Sequence, residues 1–237
     1  MTASRPAVAM LARAPGADGK TRLTASLDHA AATALRTAIF LDTLDAALSL
    51  EWPVHVFVTP RGEAEAVAVL AAADPAIAPA RSRLYVRPQA DGDLGARMTD
   101  AIAGTLGAGH DVAVLVGSDI PDLPIRAVAA AAAAVARAGR GTLVAGPAED
   151  GGFYLLAAAE AGAAATAFAG MTWGHDGVLA GITGRAVAGG GAVALVDRWH
   201  DLDAPGDLER LIAAGGLAAR RTRAVARAIP RYNSRRD

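Results

Sequence analysis

The chain has 237 residues, of which 53% are hydrophobic and 20% charged, and its formal net charge is -1. That length builds one large α/β domain, the composition is globular rather than disordered, and the near-neutral charge offers nucleic acid no global field, so any polyanion must be gripped locally. The absence of cysteine excludes disulfides, thiolate zinc sites and cysteine nucleophiles, and the 5 histidines are scattered without metal-ligand spacing. No leader-like apolar core opens the chain and no apolar run reaches spanning length, so the expected location is cytoplasmic, without a membrane.

In chain order, Ala7 to Ala12 reads as a short strand that meets a loop of Pro15, Gly16, Asp18, Gly19, Lys20, Thr21 and Arg22, with a helix following over about 28–50. Lys20 is the only lysine among 23 basic residues. Its compact ammonium beside glycine N–H groups, with Arg13 and Arg22 close by, suits a phosphate; a solvent-exposed basic loop is the alternative. The loop has neither the Walker spacing nor the G-x-G-x-x-G fingerprint. Val54 to Val58 is expected as a second strand, Glu63 to Ala73 as a helix and Leu84 to Val86 as a third strand. A turn containing Gly92 then leads into a helix over Leu94 to Leu106.

Val112 to Val116 reads as a strand buried on both faces, and it ends in Gly117-Ser118-Asp119-Ile120-Pro121-Asp122. Ligands of open α/β sheets gather beyond the carboxyl ends of such strands, which puts Asp119 at the mouth of a site, with Pro121 restricting the chain behind it. Asp119 together with Asp203 suits a hard cation such as Mg²⁺ or Mn²⁺, held by one or two carboxylates and substrate phosphates; a turn-forming aspartate is the alternative. Asp122 is expected to cap the helix that runs from about Pro124 to Ala138.

A strand at Thr142 to Ala145 precedes Glu149-Asp150-Gly151-Gly152, a tight acidic turn with a carboxylate at its rim, and Phe153 to Ala157 follows as a strand. Trp173-Gly174-His175-Asp176 sets a histidine beside an aromatic and an acid, and the histidine is read as a surface or capping residue. Ala192 to Val196 is a further strand. Asp201-Leu202-Asp203 projects both carboxylates to one side if extended, although one of them can instead cap a helix over Pro205 to Ala214. From Arg220 to Asp237 there are seven arginines, read as a solvated, partly disordered end, with an anion- or partner-binding arm as the alternative. The alternation predicts an α/β protein: a single Rossmann-like domain over 1–214, its central sheet mostly parallel with helices on both faces, and a basic tail over 215–237.

Ala12-Arg13-Ala14-Pro15 with Gly19-Lys20-Thr21-Arg22-Leu23, then Gly117 to Leu123, then Gly146-Pro147-Ala148-Glu149-Asp150-Gly151-Gly152-Phe153-Tyr154, and finally Asp203-Ala204-Pro205-Gly206-Asp207-Leu208, occur in that order. Together they resemble the radical-SAM/selenodomain-associated transferases, a glycosyltransferase-like family with the GT-A nucleotide-diphospho-sugar transferase fold. Phospholactate and phosphoenolpyruvate guanylyltransferases and the molybdenum-cofactor nucleotidyltransferases share that fold. The resemblance implies that Lys20 and Arg22 hold phosphates and act in catalysis with Asp119. It implies donor contacts at Ala12, Arg13, Gly19, Gly92, Leu94, Gly95, Arg97 and Ser118, and a divalent ion, Mg²⁺ or Mn²⁺, on Asp119 and Asp203. Acceptor contacts are implied at Glu149, Asp150, Gly151, Gly152 and Trp173. The chain departs from the family pattern in Ile120, where cysteine is common, in Trp173-Gly174-His175, where W-S-T is usual, and in a slightly shorter phosphate loop.

The function expected on these grounds is nucleotidyl transfer from a nucleoside triphosphate to a small phosphorylated or acidic acceptor. Glycosyl transfer from a nucleotide sugar is the alternative, and nucleotide binding without turnover a second one. The expected partners are therefore a nucleotide donor and a small acceptor. Alanine-rich helix faces permit a homodimer.

Overall fold

The computed structural model describes residues 4–17 and 21–230. Seven apolar segments become strands: β1 (Pro6–Arg13), β2 (Val54–Thr59), β3 (Leu84–Pro88), β4 (Val112–Gly117), β5 (Thr142–Pro147), β6 (Phe153–Ala158) and β7 (Ala192–Leu195). They form one sheet in the order β3-β2-β1-β4-β6-β5-β7. Every pairing is parallel except those of β6, which runs antiparallel to both β4 and β5. The reason is local, because the short acidic turn after β5 has no room for a crossover and can only return the chain antiparallel. This is the mostly parallel α/β architecture that the alternation of elements predicts.

Among the described residues the helices are α1 (Thr21–Thr24), α2 (His29–Leu48), α3 (Ala64–Ala73), α4 (Leu94–Gly107), α5 (Ile125–Ala138), α6 (Ala161–Phe168), α7 (Val178–Ala188), α8 (Pro205–Ala214) and α9 (Arg220–Ala228). Period-two alternation along β1 divides the core between the two faces of the sheet. Val8, Met10 and Ala12 pack with Phe40 and Leu44 of α2 and Val128 and Ala131 of α5. Ala9 lies on the other face with Met98 and Ile102 of α4, Ala167 and Phe168 of α6, and Ile182 of α7. Two helices start where a short acid follows a turn: Asp28 Oδ1 accepts from Ala31 N–H at 2.8 Å, and Asp93 Oδ1 accepts from Ala96 N–H at 2.8 Å. No helix of the described residues is long and apolar enough to cross a membrane.

Three local expectations meet a different outcome. Helices α6 and α7 occupy a stretch to which periodicity assigns nothing, because their alanine and glycine content leaves little contrast between faces. Asp122 does not cap α5: the N-cap position is Pro124, which makes no side-chain cap bond, and the Asp122 carboxylate faces Trp199 and His200 instead. The basic end is not a solvated arm over 220–228. There it forms α9 against α2, with the Arg221 guanidinium 2.9 Å from Asp42, 2.9 Å from Asp45 and 2.6 Å from Asp74. Thr222 donates to Asp42 Oδ2 through both its N–H, at 2.7 Å, and its hydroxyl, at 2.8 Å. One arginine that finds three acids gains more from docking than from solvation.

The chain leaves β1 toward β2 and β3 in one direction and returns to place β4 on the other side of β1. The carboxyl ends of β1 and β4 therefore flank the switch point of the sheet, where such folds leave a crevice.

Candidate active site at the switch point of the sheet

At the end of β1, Ala14 N–H continues the ladder to Thr59 O at 2.8 Å, and the chain then turns over the start of α2. Arg36 of α2 holds this loop down: its Nε donates to Pro15 O at 2.9 Å and its Nη2 to Thr33 Oγ1 at 3.0 Å. A cavity of about 400 Å³ opens between the loop, α2 and the end of β4. Arg13, Arg22 and Arg36 give it cationic walls, and Ser118, Asp119 and Asp203 line it as well.

The Asp119 turn is fixed from below. Ile120 is 1% exposed, and its N–H donates to the Thr43 hydroxyl at 3.1 Å, which itself donates to Ile39 O at 2.8 Å. Leu202 N–H donates to Asp119 O at 3.0 Å and brings the segment after β7 across the end of β4. Asp122 secures the same segment, its Oδ1 accepting from Trp199 Nε1 at 3.4 Å and its Oδ2 lying 3.9 Å from His200 Nε2. Asp207 closes the far end, one carboxylate oxygen accepting from the N–H groups of Asp203, at 2.9 Å, and Ala204, at 2.7 Å. Asp207 therefore caps α8.

Asp119, Asp201 and Asp203 consequently place ligand oxygens within 4.8 Å of one another. Three such carboxylates form a set that can hold a metal ion, and their all-oxygen character matches a hard divalent cation. Arg22 Nη2 donates to Asp203 Oδ2 at 3.4 Å. Gly117 leaves room for this cluster, since a Cβ there would lie 2.5 Å from Asp119 Oδ1 and make the carboxylate shift.

On the opposite face of the sheet a second cleft, about 320 Å³, shares Leu11, Gly117 and Asp119 with the first. Leu94, Met98 and Phe153 line its apolar part, and Asp150, Trp173, His175 and Asp201 its polar part. The turn after β5 is built to face it. Asp150 Oδ1 accepts from Gly152 N–H at 2.9 Å, while Gly151, at φ +85°, passes so close to the Asp176 backbone that any side chain would collide with it. Tyr154 donates to Asp197 O at 2.9 Å, and burial followed by the nearby Asp197 charge pushes its hydroxyl up to about 12.

The residues singled out from sequence divide accordingly. Arg13, Arg22, Ser118, Asp119 and Asp203 meet in the arginine cavity, and Leu94, Asp119, Asp150, Gly152 and Trp173 in the second cleft. Gly19 and Lys20 lie outside the described residues. Ala12 is buried in β1 and offers its carbonyl to Gln89 Nε2 at 3.1 Å. Gly92, at φ +115°, makes the turn into α4, and Gly95 lets Trp173 approach that helix, its missing Cβ falling 3.1 Å from the indole. Arg97 bonds back to Asp93 O at 3.3 Å, and Glu149 pairs with Arg210 at 3.5 Å, so neither lines a cavity. Gly151 serves the turn rather than the wall.

Sequence reasoning missed Arg36, one arginine among many in an ordinary helix. It also missed Gln89, which is 4% exposed and bridges the carbonyls of Ala12, at 3.1 Å, and Phe57, at 3.0 Å. Asp201 was in view only as half of an acidic pair, and His175 only as a surface residue.

Comparison with solved structures places this architecture. The chain superposes on a candidate nucleotide-diphospho-sugar transferase from Desulfovibrio desulfuricans G20 with a TM-score of 0.80 and 26% identity, covering 97% of this chain and 99% of that one. It superposes on 4-diphosphocytidyl-2C-methyl-D-erythritol synthase with a TM-score of 0.54 and 15% identity, over 88% of this chain and 98% of that one, a likeness of fold alone. The fold is thus that of the nucleotide-diphospho-sugar transferases. No curated protein matches the chain. The model of one sequence family matches residues 43–175, from α2 through the Asp119 turn and the acidic turn to His175, and the chain belongs to that family, described as uncharacterized protein conserved in bacteria (DUF2064).

Proposed function

We propose that the protein is a metal-dependent transferase acting on a nucleotide donor, and that it transfers a nucleotidyl group from a nucleoside triphosphate to a small acceptor. One observation carries this reading: the cluster of Asp119, Asp201 and Asp203 stands where an arginine-walled cavity meets a cleft of different character. A divalent cation, Mg²⁺ or Mn²⁺, would be held by these carboxylates and would neutralise charge on the donor phosphates. Arg13, Arg22 and Arg36 bind the phosphate oxygens from the cavity side, and Lys20, close to Arg22 in sequence, is assigned the same task. The turn at Gly92 is assigned to the nucleobase end on the sequence resemblance, and the cleft lined by Leu94 and Trp173 presents the acceptor in line. Catalysis of this kind is mainly positioning and charge stabilisation. The motifs of the radical-SAM/selenodomain-associated transferases support the phosphate and metal residues, while the glycosyltransferase-like character of that family leans toward glycosyl transfer.

Glycosyl transfer from a nucleotide sugar is the second reading, favoured by the name of the Desulfovibrio relative. Product analysis separates the two: pyrophosphate marks nucleotidyl transfer, a nucleoside diphosphate marks glycosyl transfer. Before turnover is sought, thermal unfolding with a panel of nucleoside triphosphates and nucleotide sugars, in Mg²⁺ or chelator, identifies the donor. A ligand at about 100 times its dissociation constant raises stability by about 2.7 kcal/mol. The shift is expected to need the cation and to vanish in Asp119→Ala; no shift with any nucleotide would refute the proposal.

A further inference from the structure

The two cavities differ in charge. The first is walled by Arg13, Arg22 and Arg36, whereas the described walls of the second carry Asp119, Asp150 and Asp201 and, among the described residues, no arginine or lysine. A cation held by Asp119 and Asp201 would offset those two and leave Asp150 facing the bound molecule. A phosphate or carboxylate seated there would meet a like charge inside a partly closed cleft.

The remaining polar groups indicate what fits instead. Asp150 is oriented by the Gly152 N–H at 2.9 Å and keeps acceptor capacity on its carboxylate. Gly177 N–H donates to His175 Nδ1 at 3.0 Å, which puts the neutral ring's own N–H on Nε2. Trp173 lines the cleft with its indole ring, its Nε1 being buried out of reach of a bound molecule. One carboxylate acceptor, one imidazole N–H donor and a flat indole match hydroxyl groups, which both donate and accept, carried on a ring or chain with an apolar face.

We infer that the acceptor bound in the Trp173 cleft is an uncharged hydroxylated molecule of the polyol or sugar class, and that Asp150 and His175 are its specificity-determining residues. The word acceptor rests on the transferase reading above; the charge selectivity rests on the cleft alone. This departs from the phosphorylated or acidic acceptor expected from the sequence, and His175 is one of the positions where the chain leaves the family pattern.

The test uses the full-length protein and matched pairs: myo-inositol and its monophosphate, glucose and glucose 1-phosphate, glycerol and glycerol 3-phosphate. Binding is read by ligand-observed NMR in Mg²⁺, with and without a nucleoside triphosphate. At least one unphosphorylated member is expected to bind about tenfold or more tightly than its phosphate ester. Asp150→Asn should bring the ratio toward unity, Asp150→Lys should invert it, and His175→Ala should weaken the unphosphorylated member. Asp150 and His175 are exposed, so unchanged melting temperatures will show that the variants are folded.

Tighter binding of a phosphate ester by the wild type would overturn the inference. So would no binding of any unphosphorylated member at about 10 mM, or displacement of the polyol by a nucleotide sugar but not by a triphosphate, which would make the cleft a donor-sugar site. Polyol selectivity without any nucleotide-induced thermal shift would uphold the selectivity and refute the transferase reading instead.

Discussion

Replacing Gly117 with alanine separates the geometry of the acidic cluster from the stability of the fold. Gly117 ends β4 with an ordinary backbone conformation, and a Cβ built on it meets only Asp119, at 2.5 Å from Oδ1 and 3.6 Å from Cγ. Ordinary contact at 3.4 Å therefore requires the carboxylate to retreat by about 0.9 Å. A displacement near 1 Å in a reacting constellation costs about 100-fold in rate, or roughly 2.7 kcal/mol. The same substitution removes freedom from the unfolded chain and, where no strain arises, stabilises by about 0.4 to 1 kcal/mol. Gly117→Ala should accordingly unfold in denaturant at the wild-type midpoint or slightly above it, while metal-dependent nucleotide binding or product formation falls by about two orders of magnitude. Chemical denaturation and a pyrophosphate or nucleoside diphosphate release assay on one preparation measure both quantities. Wild-type turnover in the variant, or a loss of stability beyond about 2 kcal/mol, would refute the argument.

Other consequences concern the packing around the site. Arg221→Ala leaves Asp42, whose side chain is 3% exposed, a buried charge without its cation, held by Thr222 and backbone bonds alone, and should cost about 3 to 5 kcal/mol in denaturant unfolding, whereas Arg5→Ala, in a pair 70% and 49% exposed, should cost little. Thr43→Val removes the hydroxyl that accepts from Ile120 N–H; about 1 to 3 kcal/mol of stability should be lost with the amide left unsatisfied, and a variant as stable as wild type would show that the bond contributes nothing. His55 is 1% exposed, with His110 Nε2 at 3.1 Å, Arg87 Nη2 at 3.4 Å and the Tyr85 ring stacked at 4.8 Å. Burial first, then the charges of His110 and Arg87, lower it from 6.5 to about 4. The unfolded chain then binds the extra proton between these values, so this contribution to stability is constant above pH 6.5, declines as pH falls, and is spent near pH 4 after a loss of about 3 kcal/mol. His55→Phe should flatten that slope between pH 7 and 5 in equilibrium unfolding, and equal slopes would exclude it as the source.

The strand and helix order was legible because the information is local. Runs such as Val112 to Val116 have the length and flanking glycine of a buried strand, and Asp28 and Asp93 mark helix starts by a hydrogen bond made within three residues. Asp119 could be picked out because the carboxyl end of such a strand lies beside the crevice of an open sheet. Helices α6 and α7 stayed hidden, since alanine- and glycine-rich segments show little amphipathic contrast whether helical or not. Helix α9 stayed hidden for a different reason: its arginines look solvated until the partners appear, and those partners, Asp42, Asp45 and Asp74, lie more than a hundred residues away.

The sequence by itself determined the α/β order, the chemistry available at each strand end and the exclusion of thiol and disulfide chemistry, because propensity, turn residues and composition act over a few positions. Only the tertiary structure decided which of those groups meet. The Leu202 to Asp119 backbone bond recruits Asp201 to the acidic cluster, Asp122 serves the segment after β7 rather than a helix cap, and the arginines and the uncompensated carboxylate fall into different cavities. These are outcomes of long-range packing, and no local pattern carries them.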